Sequence, residues 1–169
     1  MEQKMPFRIA FLIVAVMLVF SATASAQITK REQLIKISKE LESAPFSEEA
    51  KENRGWAVRW VIETDEVSVV ICSTTANAAF LDKKNKYSSE IIAQYTIGMA
   101  AFKLVNPEQA SDEAAAQIAG IESALRAYAA MVAEKPKAKH KGMDDLIAMR
   151  DRGELSKDKV AGCGKNETK

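Results

Sequence analysis

The side chains of this chain that could do chemistry are few and scattered. His140 is the only histidine among 169 residues, and it lies in the lysine-rich run 135–142. No serine, cysteine or carboxylate is spaced to make it a general base, so we predict that this imidazole is solvated. Asp144 and Asp145 are adjacent, but they lack the neighbouring ligands that a metal site needs. The sequence therefore predicts no catalytic residue, no metal site and no cofactor.

The two cysteines, Cys72 and Cys163, are about 90 residues apart. In an exported protein such a pair predicts a disulfide, and two free thiols are the alternative. Closing so long a loop would restrict the unfolded chain by roughly 4 to 5 kcal/mol in the chain-entropy picture. A redox pair is disfavoured because the chain has no C-x-x-C dithiol.

The N-terminus has the three parts of a secretory signal peptide. Lys4 and Arg8 precede an apolar run at residues 9–20, and Ala24-Ser25-Ala26 follows as a small-residue cleavage site. The run is shorter than the roughly 20 residues that cross a bilayer. We therefore expect residues 1–26 to be removed and the mature form to have no membrane span. Its destination would be periplasmic or secreted.

The charge balance of the mature chain restricts its partners. Cleavage removes Lys4, Arg8 and Glu2 from 24 basic and 23 acidic residues, which leaves a formally neutral chain. Because affinity for nucleic acid depends on accumulated cations, we predict no nucleic-acid partner. The local exception is a run of four alternating lysines in a predicted flexible linker, which could contact an anionic surface or be a solvated connector. These lysines are Lys135, Lys137, Lys139 and Lys141.

Apolar residues recur at helical spacing through most of the mature chain. The predicted helices are 28–43, 48–63, 87–104, 111–134 and 143–152, with Thr29 and Ser47 as N-caps of the first two. Trp56 and Trp60 are four residues apart and are predicted to lie in the core. The fold class is therefore all-α, a compact bundle of five or six helices in one domain over residues 27–169, with a flexible C-terminal tail.

The segment 65–82 is ambiguous. Its Val67–Cys72 run is rich in β-branched residues, which favour an extended chain, but no partner strand is evident. We predict a buried helix here, with a short strand or an irregular segment as the alternative.

The order of these features resembles small exported helical proteins of Gram-negative bacteria whose function is unassigned. The resemblance depends on the signal peptide, Cys72, the aromatic stripe from Tyr95 to Phe102 with Gly98, and the terminal Cys163. More distantly, the chain is similar to periplasmic immunity proteins and to acid-stress chaperones, which also tie helices with one cysteine pair. This resemblance implies a protein partner, and it carries over no functional residue.

Two functions from different classes are compatible with these observations. The first is a non-catalytic binding or protective protein of the cell envelope, of the immunity, inhibitor or chaperone type. The alternative is a small envelope hydrolase with dispersed carboxylates, because the two acids of such a site need not be close in sequence.

Overall fold

A computed structural model describes residues 28–71 and 75–156 of the chain. In these ranges the chain forms six α-helices and no strand, which confirms the all-helical prediction. No helix in the same ranges is long and apolar enough to cross a bilayer. The helices are α1 (Lys30–Ser43), α2 (Ala50–Glu63), α3 (Thr75–Phe80), α4 (Ser88–Val105), α5 (Glu113–Glu134) and α6 (Lys141–Asp151), with short 3-10 turns at Pro107–Gln109 and Pro136–Ala138.

The pair α4 and α5 forms the centre of the fold, and two glycines set how closely these helices cross. A Cβ on Gly98 would lie 2.4 Å from the Cβ of Ser123, and a Cβ on Gly120 would lie 2.7 Å from the carbonyl oxygen of Tyr95. Any side chain at either glycine would push the helices apart, because protein interiors are close-packed. The remaining helices pack around this pair.

The core has two parts on opposite flanks of α4. One part, around Phe80, Tyr95 and Met143, lies among α3, α4, α5 and α6. The other, around Leu34 and Trp60, lies among α1, α2 and α4. Trp60 is buried as predicted, and Trp56 is half-buried with its ring stacked on Trp60 at 6.2 Å between centroids.

The ends of the helices follow local sequence signals in most cases. Thr29 caps α1 in a capping box with Glu32, as predicted. Gly153 follows α6 with a φ of +69°, a left-handed conformation that favours glycine. The predicted cap at Ser47 is wrong, because α2 begins at Ala50 and its N-cap position, Glu49, makes no side-chain capping bond.

The predicted helix over 65–82 is wrong for residues 65–71. This part of the chain is irregular, and a helix forms only at Thr75–Phe80. The irregular alternative is the correct one, since side chains of α4 and α5 bond to the backbone of this segment from outside.

Candidate ligand-binding groove

The four lysines of the predicted linker lie on an ordered part of the structure. The 3-10 turn Pro136–Ala138 buries Ala138, and Lys141 is already the first residue of α6, so the expectation of a flexible linker is wrong. Contact of these lysines with an anionic surface stays a prediction.

Three of the four lysines have neighbours that reduce their availability to an anion. Lys141 lies 2.6 Å from a carboxylate oxygen of Asp145, and Lys139 lies 3.8 Å from one of Asp144. Lys135 lies 3.6 Å from the Glu134 carboxylate, and its ammonium is also 3.4 Å from the centre of the Phe46 ring. Lys137 is exposed and has no carboxylate partner in the described ranges.

The prediction of a solvated His140 is wrong. Its side chain is only 11% exposed, and Nε2 lies 3.2 Å from Oδ2 of Asp82. The hydroxyl of Tyr128 accepts a hydrogen bond from the His140 backbone N–H and donates one to Asp144, each at 2.8 Å. Burial raises the pKa of Tyr128 to about 12, so this hydroxyl stays protonated. These contacts join α5, α6 and the loop after α3, and they assign His140 a structural role.

A polar network between α1, α4 and α5 brings a serine and a glutamate together. Gln94 donates to the carbonyl of Ser38 and to the hydroxyl of Ser123, which in turn donates to Glu42 at 2.6 Å. Arg126 binds both oxygens of the Glu42 carboxylate, at 2.7 and 2.9 Å, and this contact raises the pKa of Arg126. Both oxygens of this carboxylate are bonded to Arg126, and the network links side chains of three helices. The network therefore holds helices together.

No group of three or more histidine, cysteine, aspartate or glutamate side chains in the described ranges could hold a metal ion. Cys72 and Cys163, with the predicted disulfide, lie outside the described residues, as do the predicted signal peptide at 1–26 and the tail from residue 157.

An apolar groove of about 790 Å³ lies between α2, the segment 64–71 and the first half of α4. Ile62 of α2 is 77% exposed beside it, and Ile71 is 52% exposed. A second concavity of about 560 Å³ shares Val58, Ile62 and Ser89 with the first, so the two form one continuous surface. Contiguous exposed apolar side chains of this kind mark interaction sites on soluble proteins. We refer to the whole surface as the groove.

The charges along the groove are unevenly distributed. Lys51, Arg54 and Arg59 line its second part with Glu90, whereas Asp65 is the charged residue of the first part. Burial lowers the pKa of Arg54, and its buried Nε has no hydrogen-bond partner in the described ranges. One end of the groove is therefore basic.

Residues 67–71, which we call the edge segment, form one wall of the groove. Lys103, only 5% exposed, donates to the Ser68 carbonyl at 2.8 Å and pairs with Glu113 at 2.5 Å. Gln117 donates to the Val70 carbonyl. Side chains of α4 and α5 therefore hold the edge segment.

The sequence did not predict this groove. Ile62 fits a helical apolar pattern, and only the path of the edge segment leaves it uncovered. The β-branched run Val67–Cys72 was the one signal present, since it indicated an extended backbone without a partner strand.

Comparison of the chain with protein families, with curated proteins and with solved structures gave no match.

Proposed function

We propose that this chain is an exported, non-catalytic binding protein of the cell envelope, of the immunity, inhibitor or chaperone type, and that it holds an apolar segment of another protein in the groove. The observation that carries the proposal is the exposure of Ile62, at 77%, beside a continuous apolar surface with one basic end. Covering such a surface removes apolar area from water, which favours association.

The proposed destination depends on the sequence of residues 1–26, which has the features of a cleaved export signal. The proposed disulfide between Cys72 and Cys163 depends in turn on that destination. N-terminal sequencing of the native protein and mass spectrometry without reduction test both. We expect a chain that begins at Gln27 and is two hydrogen atoms lighter than its reduced form.

A capture experiment with three baits tests the binding proposal. Wild type, Ile62→Glu and Leu81→Glu are immobilised and exposed to a periplasmic extract. Leu81 is the matched control because it is also a highly exposed apolar residue, at 65%, and does not line the groove. We expect a partner that binds wild type and Leu81→Glu but not Ile62→Glu. Equal capture by all three baits, or by none, contradicts the proposal.

The hydrolase alternative has no specific observation in its favour. The serine and glutamate that do meet, Ser123 and Glu42, belong to the ion-paired network with Arg126. An envelope hydrolase therefore stays a prediction from the sequence, and turnover of a cell-wall substrate by the purified protein would support it.

A further inference from the structure

We infer that the groove binds an extended peptide that adds to the edge segment as a second strand, with an acidic residue or a terminal carboxylate at the basic end. This inference rests on the proposed function and specifies the chemistry of its partner. The recognition would combine backbone hydrogen bonds with burial of alternate side chains.

The carbonyls of the edge segment indicate which side of its backbone is open. Lys103 and Gln117 bond to the carbonyls of Ser68 and Val70, two residues apart. In an extended chain, polar groups two residues apart point to the same side and those of the intervening residues point to the other. The backbone groups of Val67, Val69 and Ile71 therefore point away from Lys103 and Gln117.

The exposure of the side chains fits the same geometry. Val67 is buried, Ser68 is exposed, Val69 is half-buried and Val70 is exposed. Over residues 67–70, this alternation is typical of an extended chain with one face on the core. Val67, Ser68, Val69 and Ile71 all line the groove, and Ile71, at the end of the segment, is exposed.

The open side of the edge segment has backbone donors and acceptors to offer. In the described ranges, no hydrogen bond involves the backbone N–H or carbonyl of Val67 or Val69. Unpaired groups of this kind on an exposed chain act as a template for another strand. A helical ligand would leave them unpaired, because its own backbone groups are already bonded internally.

The size and charge of the groove define the peptide further. Five extended residues span roughly 16 Å, so the edge segment matches a peptide stretch of about five residues. Alternate side chains of that peptide would face Ile62 and Ile92 across the groove. Beyond them, Lys51, Arg54 and Arg59 outnumber Glu90, which favours a carboxylate at that end.

Selection of peptides followed by backbone methylation tests the inference. A random heptapeptide library is selected on wild type and counter-selected on Ile62→Glu. The enriched peptide is then made with N-methyl groups on one alternate set of amides or on the other, and affinities are measured by fluorescence polarisation. Only one set faces the edge segment, so we expect about tenfold or greater weakening from that set and less than about threefold from the other.

A matched pair of variants tests the basic end. Arg59→Gln should weaken an acid-ended peptide and leave its amidated form unchanged, whereas Lys36→Gln, on the exposed face of α1 outside the groove, should change neither. If Arg59→Gln also weakens the binding of the amidated peptide, the placement of the carboxylate at the basic end is overturned.

The outcomes separate this inference from the proposed function. Equal effects of the two methylation sets, or enrichment of helical peptides, would overturn strand addition. The proposed function would still be supported if capture of a partner depends on Ile62. Binding of a fatty acid in place of any peptide would also overturn it, and so would self-association that Ile62→Glu abolishes, since the occupant would then be a second copy.

Discussion

Replacing Lys103 by methionine removes the cation that holds the edge segment against α4 and α5. Methionine keeps most of the apolar stem of the lysine, so the loss is confined to the ammonium group. The Lys103 side chain is 5% exposed, and its ammonium bonds to the Ser68 carbonyl at 2.8 Å and to the Glu113 carboxylate at 2.5 Å. Both partners would be left without their donor.

The expected cost follows from the surroundings of the two partners. A hydrogen bond from a charged donor contributes about 1.5 to 3 kcal/mol. Removing one member of a fully buried ion pair costs about 3 to 5 kcal/mol, but water recovers part of this at Glu113, whose side chain is 29% exposed. We therefore expect Lys103→Met to lower the free energy of unfolding by about 2 to 3 kcal/mol, or roughly 10 °C in Tm.

Urea unfolding followed by circular dichroism measures this loss, with Lys36→Met as the matched control. Lys36 is 65% exposed and pairs with Glu40 on the surface of α1, so its replacement should cost less than about 0.5 kcal/mol. Hydrogen exchange should also show faster exchange at residues 67–71 in Lys103→Met. A variant as stable as the control, with unchanged exchange in the edge segment, would refute the role assigned to Lys103.

Three further substitutions have expected results that follow from single contacts. Gly98→Ala places a Cβ 2.4 Å from that of Ser123, so we expect a loss of about 2 kcal/mol or more in urea unfolding, and an unchanged stability would contradict the close crossing. Thr29→Ala removes the cap that bonds to the Glu32 N–H and should cost about 1 kcal/mol in thermal unfolding; a cost near zero would show that the cap is not formed. The pKa of Asp82 is lowered first by the Lys84 backbone N–H and further by His140, so the folded state favours the ionised carboxylate. Above the ordinary aspartate pKa of about 4, wild type should be more stable than Asp82→Asn, and this advantage should be lost as the pH falls below that value. Urea unfolding at pH 7 and pH 3 measures the difference, and a difference that is the same at both pH values would contradict the prediction.

Most of the helices could be predicted because their signals are local. Apolar spacing and caps lie within the helix itself, as the capping box of Thr29 and the stop at Gly153 illustrate. The close crossing of α4 and α5 was harder to foresee, because Gly98 and Gly120 acquire their meaning only when the two helices meet.

The features that the sequence did not predict depend on contacts between distant residues. The edge segment is irregular because Lys103 and Gln117, 35 and 47 residues further on, bond to its carbonyls. His140 is enclosed because Asp82, 58 residues earlier, lies beside its ring. Neither pairing has a local signal, so the prediction of a helix at 65–71 and of a solvated imidazole both failed.

Prediction of the groove needs both local sequence signals and contacts between distant residues. Its apolar residues are visible in the sequence, but a half-covered helix face and a covered one have the same pattern. Only the path of the edge segment shows that Ile62 remains exposed.

Amide hydrogen exchange at Val69, measured by NMR with and without the selected peptide, tests the open backbone edge most directly. In the free protein we expect this amide to exchange within about tenfold of the rate in an unstructured peptide, and to slow by about a hundredfold or more at saturation. An amide that is already protected in the free protein, or one that stays fast while the resonances of Ile62 report a bound peptide, would contradict strand addition at the groove.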